Sequence, residues 1–127
     1  MNLEKVIFAF FIVLALTLNF GFFIGDIDNP DHHDVYELYA ALVVSLIATV
    51  MKFGDRTHVG AVLLATSLVA DLQLVAAAVL WGFVVHVSES GLTPAAMASV
   101  VALSGGALLA NITSVVILVV ETVMLRR

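Results

Sequence analysis

Asp71 is the acid nearest the middle of a long apolar stretch, with Ser67 four residues before it and Gln73 two residues after. A charged side chain at the centre of a bilayer costs about 2.5–3.5 kcal/mol on insertion scales, so it must face protein, a partner or water. Two readings stand for it: a cation or proton site, or a protonated carboxylic acid hydrogen-bonded between helices. Residues four apart share a helix face, which puts Ser67 with Asp71, whereas Thr66 and Gln73 share a nearly opposite one. A helix at the centre of a four-helix protomer needs one polar face toward its own core. The second face predicts a subunit interface or a pore, and with it a homo-oligomer.

Other apolar stretches add neutral polar groups near the same level: Asn111, and Ser45 and Asn19 within about two helical turns of it. Taken singly, such groups are interhelical glue worth about 0.6 kcal/mol per contact. Taken with Asp71, they predict a layer in which Asn19, Ser67, Gln73 and Asn111 supply oxygen ligands or orient the acid. Ser104, Ala107, Asn111, Ser114 and Glu121 also form one small and polar face beside Gly105-Gly106, suited to close helix approach.

A second cluster is the run Asp26, Ile27, Asp28, Asn29, Pro30, Asp31, His32, His33, Asp34, with Glu37 shortly after. Its carboxylates and imidazoles would attract cations. Asp26 and Asp28 open like a calcium loop, but Pro30 stands at the third ligand and the glycine is missing. The mixture suits zinc or another transition metal, yet the adjacent histidines lack the spacing of a defined motif, so the metal is left undetermined. The alternative is solvated capping, with Asp31 and Asp34 at the positive end of a helix dipole. Repeated around an oligomer axis, the loops would ring a pore mouth.

The elements that must hold these residues follow from composition. Of 127 residues, 62% are hydrophobic and 12% charged, with a mean hydropathy of +1.15, whereas soluble domains run about half apolar and a quarter charged. That excludes a water-soluble domain. Charges cluster and leave spans at about 6–25, 35–52, 58–87 and 95–121, each long enough to cross a bilayer, with the acidic loop at 26–34. The expected fold is an all-α integral membrane bundle of four transmembrane helices, two helical hairpins in a single membrane domain. The first span lacks a small-x-small cleavage site before Asp26 and reads as retained.

Lys5, Lys52, Arg56, Arg126 and Arg127 are all the Lys and Arg present. Because such residues collect on the cytoplasmic side, both termini and the middle connection are expected there, in the cell (inner) membrane, with the acidic loop outside. Asn29-Pro30 and Thr93-Pro94 each place a capping side chain before a proline and mark the starts of helices two and four. Gly54-Asp55 reads as the end of helix two and the cap of helix three. Gly21-Phe22 and Gly82-Phe83, near the outer ends of outgoing helices, suggest a parallel repeat.

Several classes are excluded. Without cysteine there are no disulfides or thiolate metal sites. The net charge of −5 comes largely from the acidic loop, so no basic face for nucleic acid is present. No nucleophile–base pair, metal-binding helix motif or glycine-rich cofactor loop is found, so neither an enzyme nor a cofactor is expected.

Asn19-Phe20-Gly21-Phe22-Phe23-Ile24-Gly25-Asp26 resembles the Thr-Val-Gly-Tyr-Gly-Asp filter of potassium channels, lying at the outer end of a span. It departs between the glycines, and no separate pore helix precedes it. The resemblance implies cation conduction. Small multidrug resistance transporters have a similar helix count but carry a glutamate inside the first helix, where this chain has Asn19 and Thr17. The combined expectation is a homo-oligomer in lipid that passes a small cation or proton through a layer centred on Asp71. The alternative is an accessory or scaffold subunit bound to a partner membrane protein, its polar faces used for packing.

Overall fold

The computed structural model describes residues 3–54 and 57–125. The expected cap Asp55 and three of the basic residues, Arg56, Arg126 and Arg127, lie outside the described residues.

Among the described residues, four α-helices run in order: α1 Leu3–Phe23, α2 Val35–Lys52, α3 His58–His86 and α4 Pro94–Leu125. Among the described residues there is no strand. All four helices are long and apolar enough to cross a membrane. With 29 and 32 residues, α3 and α4 reach about 43 and 48 Å at about 1.5 Å per residue.

Helix ends follow local chemistry, in places differently from expectation. Asn29 accepts from the Asp31 N–H and caps a single 3₁₀ turn, Pro30–His32, rather than α2 itself. His33 then turns extended (φ −130°) and breaks the run, so α2 starts at Val35 with Asp34 accepting from Tyr36 N–H at 2.9 Å. Thr57 caps α3 through the Gly60 N–H. Thr93 accepts from Ala96 N–H at 3.1 Å, with Pro94 first in α4. The tight turn after α2 uses Gly54 at φ +92°, a conformation open to a residue without Cβ.

The packed pairs are α1–α2, α2–α3, α3–α4 and α4–α1, a closed ring in which each helix has two such neighbours. One apolar cluster, built around Phe22, Leu38, Leu74, Met97, Val100 and Val101, fills the end that carries the Asp26–Asp34 loop. A smaller one, Phe8, Ile12, Ala48 and Leu63, fills the end that carries both termini, where Lys52 Nζ lies 4.2 Å from the Phe8 ring centre. Apart from His33 in the loop, the buried polar side chains among the described residues fall where one cluster gives way to the other: Asn19, Ser45, Thr49, Ser67, Asp71, Ser104, Asn111 and Ser114.

The outside is the reverse, with large apolar residues such as Phe10, Val50, Leu72, Val79, Leu109 and Val116 exposed along the helices. The suggested repeat does not extend to packing. Phe22 is fully buried whereas Phe83 is 55% exposed, so the two Gly-Phe pairs occupy unlike positions.

Candidate functional site

Ser45 and Thr49, one helical turn apart on α2, present their hydroxyls to α3. Ser45 Oγ donates to Asp71 Oδ1 at 2.6 Å, and Thr49 Oγ1 stands 2.5 Å from Asp71 Oδ2. The Thr49 hydroxyl is also 2.9 Å from the Ser45 carbonyl. Buried Ala41 and Ala48 on α2 and Ala70 on α3 keep the surrounding positions small. Asp71 is 6% exposed, and Ser67, one turn away on the same face, is also buried. Toward the loop end this seam opens into an apolar groove lined by Leu42, Val75, Val79, Gly82 and Phe83.

The remaining predicted residues meet other seams. Asn19 of α1, with its amide oriented to pair donors with acceptors, donates to the Ser104 carbonyl and accepts from Leu108 N–H and Asn111 Nδ2, each at 3.0 Å. Ser104 O and Leu108 N–H are the two ends of one rung in α4's backbone ladder. A side chain from α1 therefore touches both ends of a hydrogen-bonding step of α4, beside Gly105-Gly106. Gln73 reaches the same part of α4 from the other side, against Gly106, where a Cβ would stand 1.9 Å from Gln73 Oε1. That buried oxygen finds no hydrogen-bond partner; a glycine Cα–H is its close neighbour, a weak donor at best. Thr66 and Ser114 share a 2.5 Å hydrogen bond nearby.

The five residues predicted as one layer are thus divided. Asp71 and Ser67 belong to the α2–α3 face, Gln73 to α3–α4, and Asn19 and Asn111 to α1–α4. The two polar faces of α3 are both used inside one chain, because a helix in a four-membered ring packs on two neighbours. The sequence argument for a subunit interface is absorbed by that geometry.

The acidic loop is organised by its imidazoles. His33 is 5% exposed, with Nδ1 2.5 Å from Phe22 O and Nε2 2.7 Å from Asp26 O. Both ring nitrogens thus lie within hydrogen-bond reach of a backbone carbonyl oxygen. His32 Nδ1 instead accepts from Asp26 N–H at 2.9 Å. Asp26, Asp28, Asp31 and Asp34 are exposed. Among the described residues, no group of three or more His, Asp and Glu side chains is placed to hold a metal ion. Glu37 leaves the loop and lies over Gly21 of α1, where a Cβ would stand 1.9 Å from its Oε2.

The filter-like segment is not extended. Asn19 to Phe23 is the last part of α1, and Ile24 N–H still bonds Phe20 O at 3.0 Å, while Phe22 O and Asp26 O meet the His33 ring. Thr49 is the site residue that sequence reasoning missed. Its signal was present in the four-residue spacing from Ser45, but nothing in the sequence says which helix that face meets.

Comparison with curated proteins and with solved structures finds no match. One family profile covers most of the chain, including Asp71, Ser45, Thr49, Gln73 and Asn111, and starts beyond Asn19. Through that match, over residues 32–122, the chain belongs to the family of unknown function DUF6394.

Proposed function

We propose that this is a multi-pass membrane protein, with both termini in the cytoplasm, that binds and passes a small cation or a proton through its polar belt at Asp71. The apolar exterior and the four long helices support insertion. The absence of Lys and Arg from 26–34 and 88–93 supports the orientation. A single cysteine tests it cleanly in a chain that has none: an impermeant maleimide added outside should label Ser90→Cys and spare Glu4→Cys.

The observation that carries the reading is the burial of the Asp71 carboxyl against two neutral hydroxyls. A negative charge held this way is uncompensated, and uncompensated charge inside apolar protein is costly. In this reading a small cation or a proton completes the site beside the carboxyl, and the site needs only one chain. Liposomes carrying the purified protein, assayed for proton, sodium and potassium flux, test it. Flux should fall at least about tenfold, the equivalent of about 1.4 kcal/mol, in Asp71→Asn; no flux for any of the three ions rejects transport.

A second reading, a scaffold subunit of a larger membrane complex, draws on a different observation. The α2–α3, α3–α4 and α1–α4 seams each carry a side-chain hydrogen bond made within the chain, as packing alone would require. In that case Asp71→Asn leaves cellular function intact.

A further inference from the structure

We infer that the ion taken by the belt is a proton, held between Asp71 Oδ2 and Thr49 Oγ1, and not a metal cation. The inference rests on Asp71 being the belt's cation site and names the species it accepts. The first ground is a count of hydrogens. Thr49 has one hydroxyl hydrogen and two acceptors in reach, Asp71 Oδ2 at 2.5 Å and the Ser45 carbonyl at 2.9 Å. One hydrogen serves one of them well. A proton added to Oδ2 completes the set: Asp71 donates to Thr49, Thr49 donates to the Ser45 carbonyl, and Ser45 Oγ donates to Oδ1 at 2.6 Å.

The second ground is distance. Oxygens bridged by a metal ion stand apart by the size of its coordination shell, about 2.9 Å along the edge of even a small magnesium octahedron. The oxygens here are 2.5 and 2.6 Å apart, the spacing of short O–H···O bonds. The site therefore has room for hydrogen between its oxygens and no pre-formed shell for sodium, potassium or a divalent ion.

The two forms interconvert without moving a helix. From the carboxylate form, a hydronium ion gives one proton to Oδ2 and leaves as water. The Thr49 hydroxyl turns from Oδ2 to the Ser45 carbonyl, and its oxygen becomes the acceptor. Release gives the proton back to a water molecule as hydronium, and the Thr49 hydroxyl leaves the Ser45 carbonyl and donates to Oδ2 again, with no covalent bond changed except those to the moving proton.

Infrared difference spectroscopy on the protein in lipid, stepping pH at fixed salt and then salt at fixed pH, tests this directly. The expected result is a protonated-carboxyl carbonyl band that follows pH, is unchanged when sodium replaces potassium, disappears in Asp71→Asn and moves in Asp71→Glu. Thr49→Ser should keep the band in place and Thr49→Val should shift it, which a merely structural role for Thr49 would not do. A site that stays carboxylate throughout, or a band that responds to sodium or potassium at constant pH, overturns the proton assignment. Flux separates the two claims. A titrating band without transport keeps the proton site and rejects conduction, whereas Asp71-dependent sodium or potassium flux keeps conduction and rejects the proton.

Discussion

Gln73 of α3 rests its carboxamide on the bare Cα of Gly106 in α4, so close that a Cβ there would stand 1.9 Å from Oε1 and 2.7 Å from Cδ. The Gly106→Ala variant should therefore push the amide out of its place. Overpacking of this kind costs about 1–3 kcal/mol. Thermal unfolding in detergent should show the loss, and adding Gln73→Ala should recover most of it. Equal losses in the single and double variants would mean that the glycine serves α4 alone.

Asn19 should be the costlier of the two belt asparagines to remove. It serves Ser104 O, Leu108 N–H and Asn111, and a buried polar group left unpaired costs about 1–3 kcal/mol. Asn19→Leu should lower the unfolding temperature more than Asn111→Leu. A double-mutant cycle between them should give a coupling of about 0.6 kcal/mol or more; additive losses would place the two side chains apart.

Replacing Asp71 by Asn should preserve the fold. The amide oxygen can accept from Ser45 and the amide N–H can donate to Thr49, repeating the protonated acid's pattern. Stability should stay within about 1 kcal/mol of the parent, whereas Asp71→Lys, a long cation in a seam lined by alanines, should lose about 3–5 kcal/mol. Chemical unfolding of the three proteins in one detergent makes the comparison.

The His33 ring joins the last turn of α1 to the loop through Phe22 O and Asp26 O. His33→Ala should free the segment between Ile24 and His32 while leaving α2 intact, because Asp34 caps that helix independently. Amide exchange should rise about tenfold or more in the loop, the equivalent of about 1.4 kcal/mol of lost protection. Uniform acceleration through α2 would show that the imidazole supports the whole hairpin.

The four helices were legible because apolar length is a property of a single stretch of chain. Thr93-Pro94 also marked its helix correctly, since a cap and its proline are neighbours in sequence. Pairing was not legible. Periodicity shows two polar faces on α3, but which helices Ser67–Asp71 and Thr66–Gln73 meet depends on the ring order, and from sequence the second face reads as a subunit interface or a pore. Asn29 misleads for a related reason: its cap is real, yet His33 is held inward by Phe22 O of α1 and Asp26 O of the loop, and α2 starts only after it. In sequence Gly106 belongs to a small face suited to close helix approach and Gly21 to a repeat and a filter-like run; in the structure they are seats for Gln73 and Glu37.

The contact of Asn19 with both ends of one backbone rung of α4 has a consequence for alignment. Helices coated in valine, leucine and alanine fit one another almost equally well after sliding by a turn, and lipid offers them little reason to choose. An amide that must find one carbonyl and the one N–H above it tolerates no such slip. Asn19 thus acts as an index mark between the first helix and the last, fixing where along its length the ring closes.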